Sequence, residues 1–322
     1  MADKFYYSLL TEELSGEVAK VIEHVYSRSY KELALPSAQQ AWREHECRDN
    51  VVALAFSGDK VAGMISLKRS CDSIRVYELG MLSVLQEFRQ SNLANELVNF
   101  AKRAFATLVD YDAIYMENVS THYYSQRKAA QNGASDCALA VSAMPGLDGT
   151  ERLSFINAFL ENPLSENKHV YIPKKYANSL LFYYQGLKKR TIMPYTDRKM
   201  AMKRESETCV RELTTLGLLK QSFCIIGENF EDEIKKMLTY AKMQGIKTIQ
   251  VYLPLSSSQI SFAVDCLAKE GFFIGGILPF WFGADGLLLQ KCFSYDLSSI
   301  KVYSSKARVL LQLLEKDIKG KL

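Results

Sequence analysis

The chain has 322 residues, 48% hydrophobic and 24% charged, with a formal net charge of +4. That length can bury two separate cores. The charge is too small and too dispersed for a nucleic-acid partner, and no apolar run approaches the ~20 residues that span a bilayer.

The N-terminal stretch MADKFYYSLLTEELSGE is acidic where a signal peptide would be basic and then apolar, so a cytoplasmic location is expected. Seven cysteines, Cys47, Cys71, Cys137, Cys209, Cys224, Cys266 and Cys292, are scattered and never form C-x-x-C. Buried, reduced thiols are expected, with neither a metal centre nor a disulfide framework.

In chain order, residues 5–10 read as a short strand. Residues 12–30 read as a helix with a stripe of Leu14, Val18, Val21, Ile22 and Val25. Pro36 ends it, and residues 37–46 form a weaker helix. Residues 51–56 and 60–67 are strands joined by the turn Ser57-Gly58-Asp59. Residues 75–84 are a third antiparallel strand. From Asn92 onward, Leu93, Leu97, Phe100, Ala101 and Ala104 share one helical face.

Between that strand and that helix lies the polar turn Gln86-Glu87-Phe88-Arg89-Gln90-Ser91. A strand that passes through a polar loop into a helix N-terminus makes an anion site. The free N–H groups of the first helical turn and the positive end of the helix dipole both face the loop.

Residues 113–119 are the next strand, and residues 123–131 a helix closed by Asn132-Gly133. Residues 137–144 and 152–160 are further strands. These strand–helix–strand units imply a partly parallel centre flanked by antiparallel strands. Residues 161–219 read as a connecting region packed on the first domain. Within it, residues 174–190 mix basic and aromatic residues as an amphipathic helix with solvated lysines does. The pattern then restarts. Strands are expected at 221–226, 247–253, 272–279 and 286–290, and helices at 230–244, 257–270 and 304–316.

Residues 113–144 and 247–279 read alike: strand, polar switch, helix, Gly, strand, Pro. The switches are Ser120-Thr121-His122 and Ser256-Ser257-Ser258. This is a weak internal repeat, and the stretch 75–105 has no evident counterpart in the second half.

The element order and the stretch 75–105 resemble the GNAT superfamily of N-acetyltransferases. Its coenzyme A loop reads [Gln/Arg]-x-x-Gly-x-[Gly/Ala] after a strand ending in Val. Here Val84-Leu85-Gln86-Glu87-Phe88 leads into Arg89-Gln90-Ser91-Asn92-Leu93-Ala94, with Arg89 and Ala94 at the first and last positions. Asn92 stands where the family prefers Gly, and Asn tolerates the positive φ such a loop would use. Gly271-Phe272 matches the family's later Gly-Phe, and Gly133-Ala134 matches it without the Phe. The resemblance covers most of residues 1–160 and, more loosely, 221–295.

The implied fold is α/β (α+β): a mixed, mostly antiparallel central sheet with flanking helices, GNAT-like and duplicated. The implied domains are 1–160, binding acyl-CoA; 161–220, connecting; and 221–322, a degenerate second copy. The implied co-substrate is acetyl-CoA or another acyl-CoA, without metal, held by Leu82, Val84, Arg89, Gln90, Ser91, Asn92, Leu93 and Ala94. A backbone N–H near Leu82–Val84 would face the thioester oxygen.

Glu78, six residues before Val84, matches a position where some members carry a catalytic glutamate, and it is the candidate general base. The family's acid tyrosine falls at Ala129, which moves that role to Tyr124. His122 is a candidate base, substrate contact or helix-terminal hydrogen-bonding residue. The acceptor is a small-molecule amine or an amino-acid-like one, and the chain is a monomer or homodimer. The competing readings are a non-catalytic acyl-CoA sensor or interaction module, and a protein-lysine acetyltransferase.

Overall fold

The computed structural model describes residues 5–26, 36–69, 73, 75–89, 91–146, 151–184, 187, 189–194 and 202–322, and of Tyr26 the backbone only. By its internal contacts the chain divides into two compact units, residues 1–114 and 115–322. This division by contact is independent of the expected boundaries at 160 and 220, which concern repeat units.

The first unit contains β1 (Phe5–Leu9), α1 (Ser15–Tyr26), α2 (Ala38–Glu46), β2 (Asn50–Ser57), β3 (Lys60–Arg69), β4 (Val76–Val84) and α3 (Leu93–Leu108). The strands pair in chain order, each antiparallel to the next. Gly58, at φ 60°, closes the β2–β3 hairpin as its sequence predicts. β2 is buried on both faces, so it reads as a continuous apolar run instead of an alternating one.

Alternate residues of β2 feed two cores. Val52, Leu54 and Phe56 pack with Val18, Val21 and Ile22 of α1 and Ala41 of α2. Val51, Ala53 and Ala55 pack with Leu93, Leu97, Ala101 and Phe105 of α3. Those four α3 residues are the period of the predicted stripe, with Phe105 buried in place of Ala104. Each large side chain so removed from water contributes roughly 1.5–3 kcal/mol.

Ser37 caps α2 by accepting the Gln40 N–H at 3.1 Å. Helix α1 begins only at Ser15, after a turn over Thr11–Leu14, and residues 27–30 of the expected helix lie outside the described residues.

The second unit takes over within β5 (Ala113–Val119). It continues through α4 (Tyr124–Gln131), β6 (Ser135–Pro145), β7 (Arg152–Glu161), β8 (Lys168–Tyr171), α5 (Ala177–Tyr184), β9 (Arg190–Met193), β10 (Glu207–Leu213) and β11 (Leu218–Ile225). It ends with α6 (Phe230–Met243), β12 (Thr248–Pro254), α7 (Ile260–Lys269), β13 (Phe273–Leu278), β14 (Gly286–Cys292) and α8 (Ser305–Ile318).

Its sheet order is β5-β7-β6-β13-β14-β12-β11-β10, with β8 and β9 as a separate parallel pair. Parallel pairing occurs at β11–β12, and the neighbours on either side of that pair are antiparallel. The mixed, mostly antiparallel sheet with flanking helices is the fold class that the sequence implies.

Residues 161–219 carry regular structure of their own. They supply β8, α5 and β9, and β10 joins the sheet beside β11. The cysteines also depart from expectation. Cys137 and Cys266 are buried, but Cys47, Cys209 and Cys224 are exposed free thiols, and Cys71 lies outside the described residues.

The two similar passages now have a spatial form. β5-β7-β6 and β13-β14-β12 read as reversed copies in the sheet order, with β6 against β13 at the middle. Ser142 (φ 47°) and Gly276 (φ 131°) each interrupt their strand three residues before Pro145 and Pro279. The β6–β13 ladder is one bridge, Gly276 to Ala138. Side chains reinforce it. Gln290 accepts the Val141 N–H and donates to the Leu139 carbonyl, both at 2.8 Å. Thr248 Oγ1 donates to the Ser142 carbonyl at 2.6 Å.

One buried group in the first unit sets a pH dependence. His45 is 3% exposed, and its Nδ1 accepts the Val52 N–H at 3.0 Å. Burial first, and the Arg48 charge second, depress its pKa from 6.5 to about 4. The unfolded chain therefore takes up this proton before the folded one does. The resulting stability is complete above about pH 6.5 and drains away as pH falls toward about 4. Denaturant melts of wild type should lose on the order of 1–2 kcal/mol between about pH 6.5 and 5. His45→Gln should flatten that slope, and an unchanged slope would show that His45 does not cause it.

Candidate active site

Strand β4 is interrupted before it reaches the loop. Ser83 pairs with Met64 and Gly80 with Ser66, so Met81 and Leu82 together face a single residue of β3. Met81 sits at φ 53°, in the left-handed region that a non-glycine residue rarely occupies. This is a β-bulge, which leaves a residue unpaired and re-aims the strand. Leu82 is 40% exposed, whereas Ser83 is buried with no partner for its hydroxyl among the described residues.

The bulge depends on a close approach from β3. A Cβ on Gly63 would lie 2.7 Å from the Ser83 carbonyl oxygen. Only glycine lets β3 run this near to β4 at that point.

Beyond Val84 the chain makes one 3-10 turn, Gln86–Phe88, and enters α3. Phe88 packs edge-on against Phe5 at 5.8 Å, and Leu85 and Leu93 are buried on either side, so the loop is anchored at both ends. Arg89 folds back, its Nε donating to the Val84 carbonyl at 3.1 Å. Ser91 Oγ donates to the Phe88 carbonyl at 2.7 Å and accepts the Leu93 N–H at 3.3 Å. Asn95 and Glu96 donate their N–H groups to the Asn92 carbonyl. Of the first helical turn, this leaves the Ala94 N–H without a partner among the described residues.

Asn92 is the N-cap at φ −79°, and no described residue of the loop has a positive φ. The turn thus makes no demand for glycine at this position, contrary to the expectation that Asn would serve by tolerating positive φ. Gln90 lies outside the described residues. The loop's carboxylates are engaged: Glu87 pairs with Lys60, and Glu96 accepts from the Tyr7 hydroxyl and the Asn92 amide. A helix N-terminus with an arginine beside it suits a phosphate group, while Glu96 in the same turn works against one.

Glu78 is half-buried on β4, directly opposite Lys68 of β3. Tyr77 and Leu79 point to the α3 core, so strand alternation puts Glu78 on the opposite face, the one that carries α1 and α2. Arg75 is not its companion: that guanidinium bonds Asp110 and Asp112 at 2.9 Å. On the same face of the unit, a groove of about 660 Å³ runs between α1 and the β2–β3 hairpin and reaches Leu85. Glu17, Lys20, His24 and Lys60 line it.

His122 and Tyr124 belong to the second unit, at the start of α4. Both are exposed, and Tyr124 is 61% so. His122 Nδ1 accepts the Tyr124 N–H at 3.3 Å, so the helix-terminal role among the three considered is the one its contacts fill. Gln126, which sequence reasoning did not single out, holds this corner. Its amide donates to the carbonyls of Val119, His122 and Lys301, and its oxygen accepts the Tyr303 N–H. No motif marks such a residue. A lone glutamine on a polar helix carries no pattern that sequence can show. Ala129, at the family's tyrosine position, is buried.

The second half does contain a counterpart to the strand–loop–helix stretch, which corrects the expectation that it has none. β11 runs into α6, with Ile226 buried as Leu85 is and Asn229 at the N-cap as Asn92 is. The connection shrinks to residues 226–229 and is filled by the chain itself. Gly227 N–H donates to Ser206 Oγ at 3.0 Å, Glu228 N–H to the Lys203 carbonyl at 2.9 Å, and Ser206 N–H to Asn229 Oδ1 at 2.8 Å. A Cβ on Gly227 would collide with the Glu205 backbone. Glu231, Asp232 and Glu233 occupy the first turn of α6, where they complement the helix dipole and pair with Cys266, Lys235 and Lys236 in turn.

If Gly63 sets the β3–β4 spacing, Gly63→Ala must push the bulge outward. Melts of this variant should show a loss of about 1–3 kcal/mol. Full stability would mean that β4 absorbs the methyl group by shifting, with Ser83 and the loop undisturbed.

Residues 17–129, about a third of the chain, match the acetyltransferase (GNAT) family. No curated protein matches the chain. Among solved structures, a GNAT-family acetyltransferase of Streptococcus pneumoniae shares 9% identity over 49% of this chain and 100% of its own, at a TM-score of 0.43. For yncA of Salmonella typhimurium, solved with its cofactor acetyl-CoA, the values are 14%, 49%, 93% and 0.40. For the IAA acetyltransferase of Bacillus cereus they are 12%, 49%, 100% and 0.36. Residues 17–129 are a domain of the GNAT acetyltransferase family, whose reaction is acyl transfer with acetyl-CoA as co-substrate.

Proposed function

We propose that the chain is an N-acyltransferase that moves an acetyl or other acyl group from coenzyme A to the amine of a small-molecule or amino-acid-like acceptor. The observation that carries this reading is the run of bulge, turn and helix N-terminus from Met81 to Ala94. It supplies in one segment the two electrostatic devices that thioester aminolysis uses.

The first is the anion nest. Ala94 N–H and the N-terminal end of α3 hold the pyrophosphate, with Ser91 and Asn92 fixing the turn. Arg89 adds charge from the loop, while its Nε keeps the Val84 carbonyl tied down. The second is the bulge. It frees a backbone N–H in the Leu82–Val84 segment to stabilise negative charge as it develops on the thioester oxygen.

Glu78, on the same strand, takes the ammonium proton of the acceptor. Tyr124 donates to the departing thiolate, and His122 orients it by accepting its N–H. Acetyl-CoA, when bound, supplies the activated acyl group, and the chain supplies position, charge stabilisation and the proton path.

We further read residues 1–160 as one repeat, 161–220 as a connection and 221–322 as a degenerate second copy. The reversed strand order of the second unit and the β11–α6 counterpart support this reading. The closed 226–229 loop supports one cofactor site per chain. Ala129 in place of the family's tyrosine favours one competing reading, a non-catalytic acyl-CoA sensor.

Calorimetry separates these. Acetyl-CoA should bind with a stoichiometry of one, and Arg89→Ala should weaken it by about tenfold. Failure to bind at millimolar acetyl-CoA would sink both readings. With an amine acceptor found by panel, Glu78→Gln should lower kcat by ~10²–10⁴-fold and remove the acidic limb of the pH profile. Binding without turnover on any amine leaves the sensor.

A further inference from the structure

The outer edge of β10 ends the sheet of the second unit, and no described strand pairs with it. All its residues from Glu207 to Glu212 are exposed, and Leu213 is partly so. The order β10–β11–α6–β12 repeats β3–β4–α3–β5, so β10 stands where β3 stands in the first half. There the outer edge of β3 is fully paired, with β2 matching it from Lys60 to Lys68. The second half has no strand in that role among the described residues. The edge is therefore one that the architecture ordinarily covers. β10 contains neither lysine nor proline, and the charges it does carry are Glu207, Arg211 and Glu212.

We propose that this edge is covered by a second copy of the chain, β10 pairing with β10 antiparallel about a two-fold axis at Cys209. The argument for this occupant is charge complementarity, and it also fixes the register. A two-fold axis perpendicular to a sheet keeps each side chain on its own face, so the axis must pass through a residue. Centred on Cys209, Glu207, which also pairs with Lys203 of its own chain at 3.0 Å, lies opposite the partner's Arg211, and Arg211 lies opposite the partner's Glu207. On the other face Thr208 meets the partner's Val210, a pair of β-formers. Centred on Val210, the charges meet only Leu213, Cys209 and Thr208. Centred on Arg211, two arginines oppose each other. Glu212 is held away on its own face by the Tyr240 hydroxyl. The pairing is isologous and closed, so it yields a dimer and not a fibre. It does not rest on the acyltransferase reading.

Sedimentation velocity on the full chain from micromolar to millimolar should show a monomer–dimer equilibrium. Arg211→Glu and Glu207→Arg should each weaken the dimer by about tenfold, since each sets like charges opposite one another at two symmetry-related places. The double variant Glu207→Arg/Arg211→Glu should restore it. These residues are exposed, so circular dichroism should show all three variants folded. In this register the Cys209 α-carbons are ~4.5–5.5 Å apart. A short bis-maleimide should therefore yield a Cys209–Cys209 linked peptide on digestion. A monomer at every concentration overturns the proposal. So does a dimer without that peptide, or a double variant no tighter than the singles.

Discussion

At Gly63 the backbone of β3 comes within one missing methyl group of β4, and the first unit's chemistry follows from that contact. The near approach holds the ladder on both sides of Met81, so the extra residue must leave the plane of the sheet. Met81 accepts a left-handed φ for which its side chain is ill suited, a local cost of order 1–3 kcal/mol that the surrounding strands impose. The re-aimed strand then delivers Leu85, the 3-10 turn and the buried Leu93 in sequence. The first turn of α3 is thereby fixed at the end of β4 by packing on both sides of the polar loop.

The two strand-to-helix connections of the chain show how little separates a loop that stands clear from a closed turn. Residues 85–92 and residues 226–229 leave comparable strands and enter comparable helices, each with asparagine at the N-cap. In the first, the loop is long enough to stand clear, and its carboxylates are engaged by Lys60, Tyr7 and Asn92. In the second, the N–H groups that would meet a ligand are spent on Ser206 and Lys203, and the first helical turn carries three carboxylates where α3 carries one. Backbone N–H groups satisfied within the protein gain nothing from an external anion.

Much of this was readable from residue type and spacing. Ser57-Gly58-Asp59, the Ser37 cap and the α3 stripe each rest on a local rule that tertiary contacts did not override. So do the positive φ angles at Gly133, Gly245 and Gly271. The strand, loop and helix of the candidate site were legible for the same reason. The bulge was not, because nothing distinguishes Met81 from an ordinary strand residue until Gly63 is known to lie against Ser83 and Val84 just beyond it. β10 was missed because a strand exposed on both faces has no alternation to read. The backbone role of Gln126 was invisible because two of its partners, Lys301 and Tyr303, come from a distant part of the chain.

The middle of the second unit's sheet has a kinetic meaning. β6 and β13 share one backbone bridge, and the contact is completed by Gln290, which reaches Val141 across 149 residues of sequence. On either side of this seam lie hairpins and strand–helix–strand units whose contacts are local and quick to form. Loop closure over such a span is entropically late. The unit should therefore assemble as two lobes that dock last along a line where few backbone bonds drive the joining. Until they dock, the Val141 N–H and the edges of β6 and β13 stay open to a wrong partner, so during synthesis on the ribosome this seam is the place where misfolding would begin.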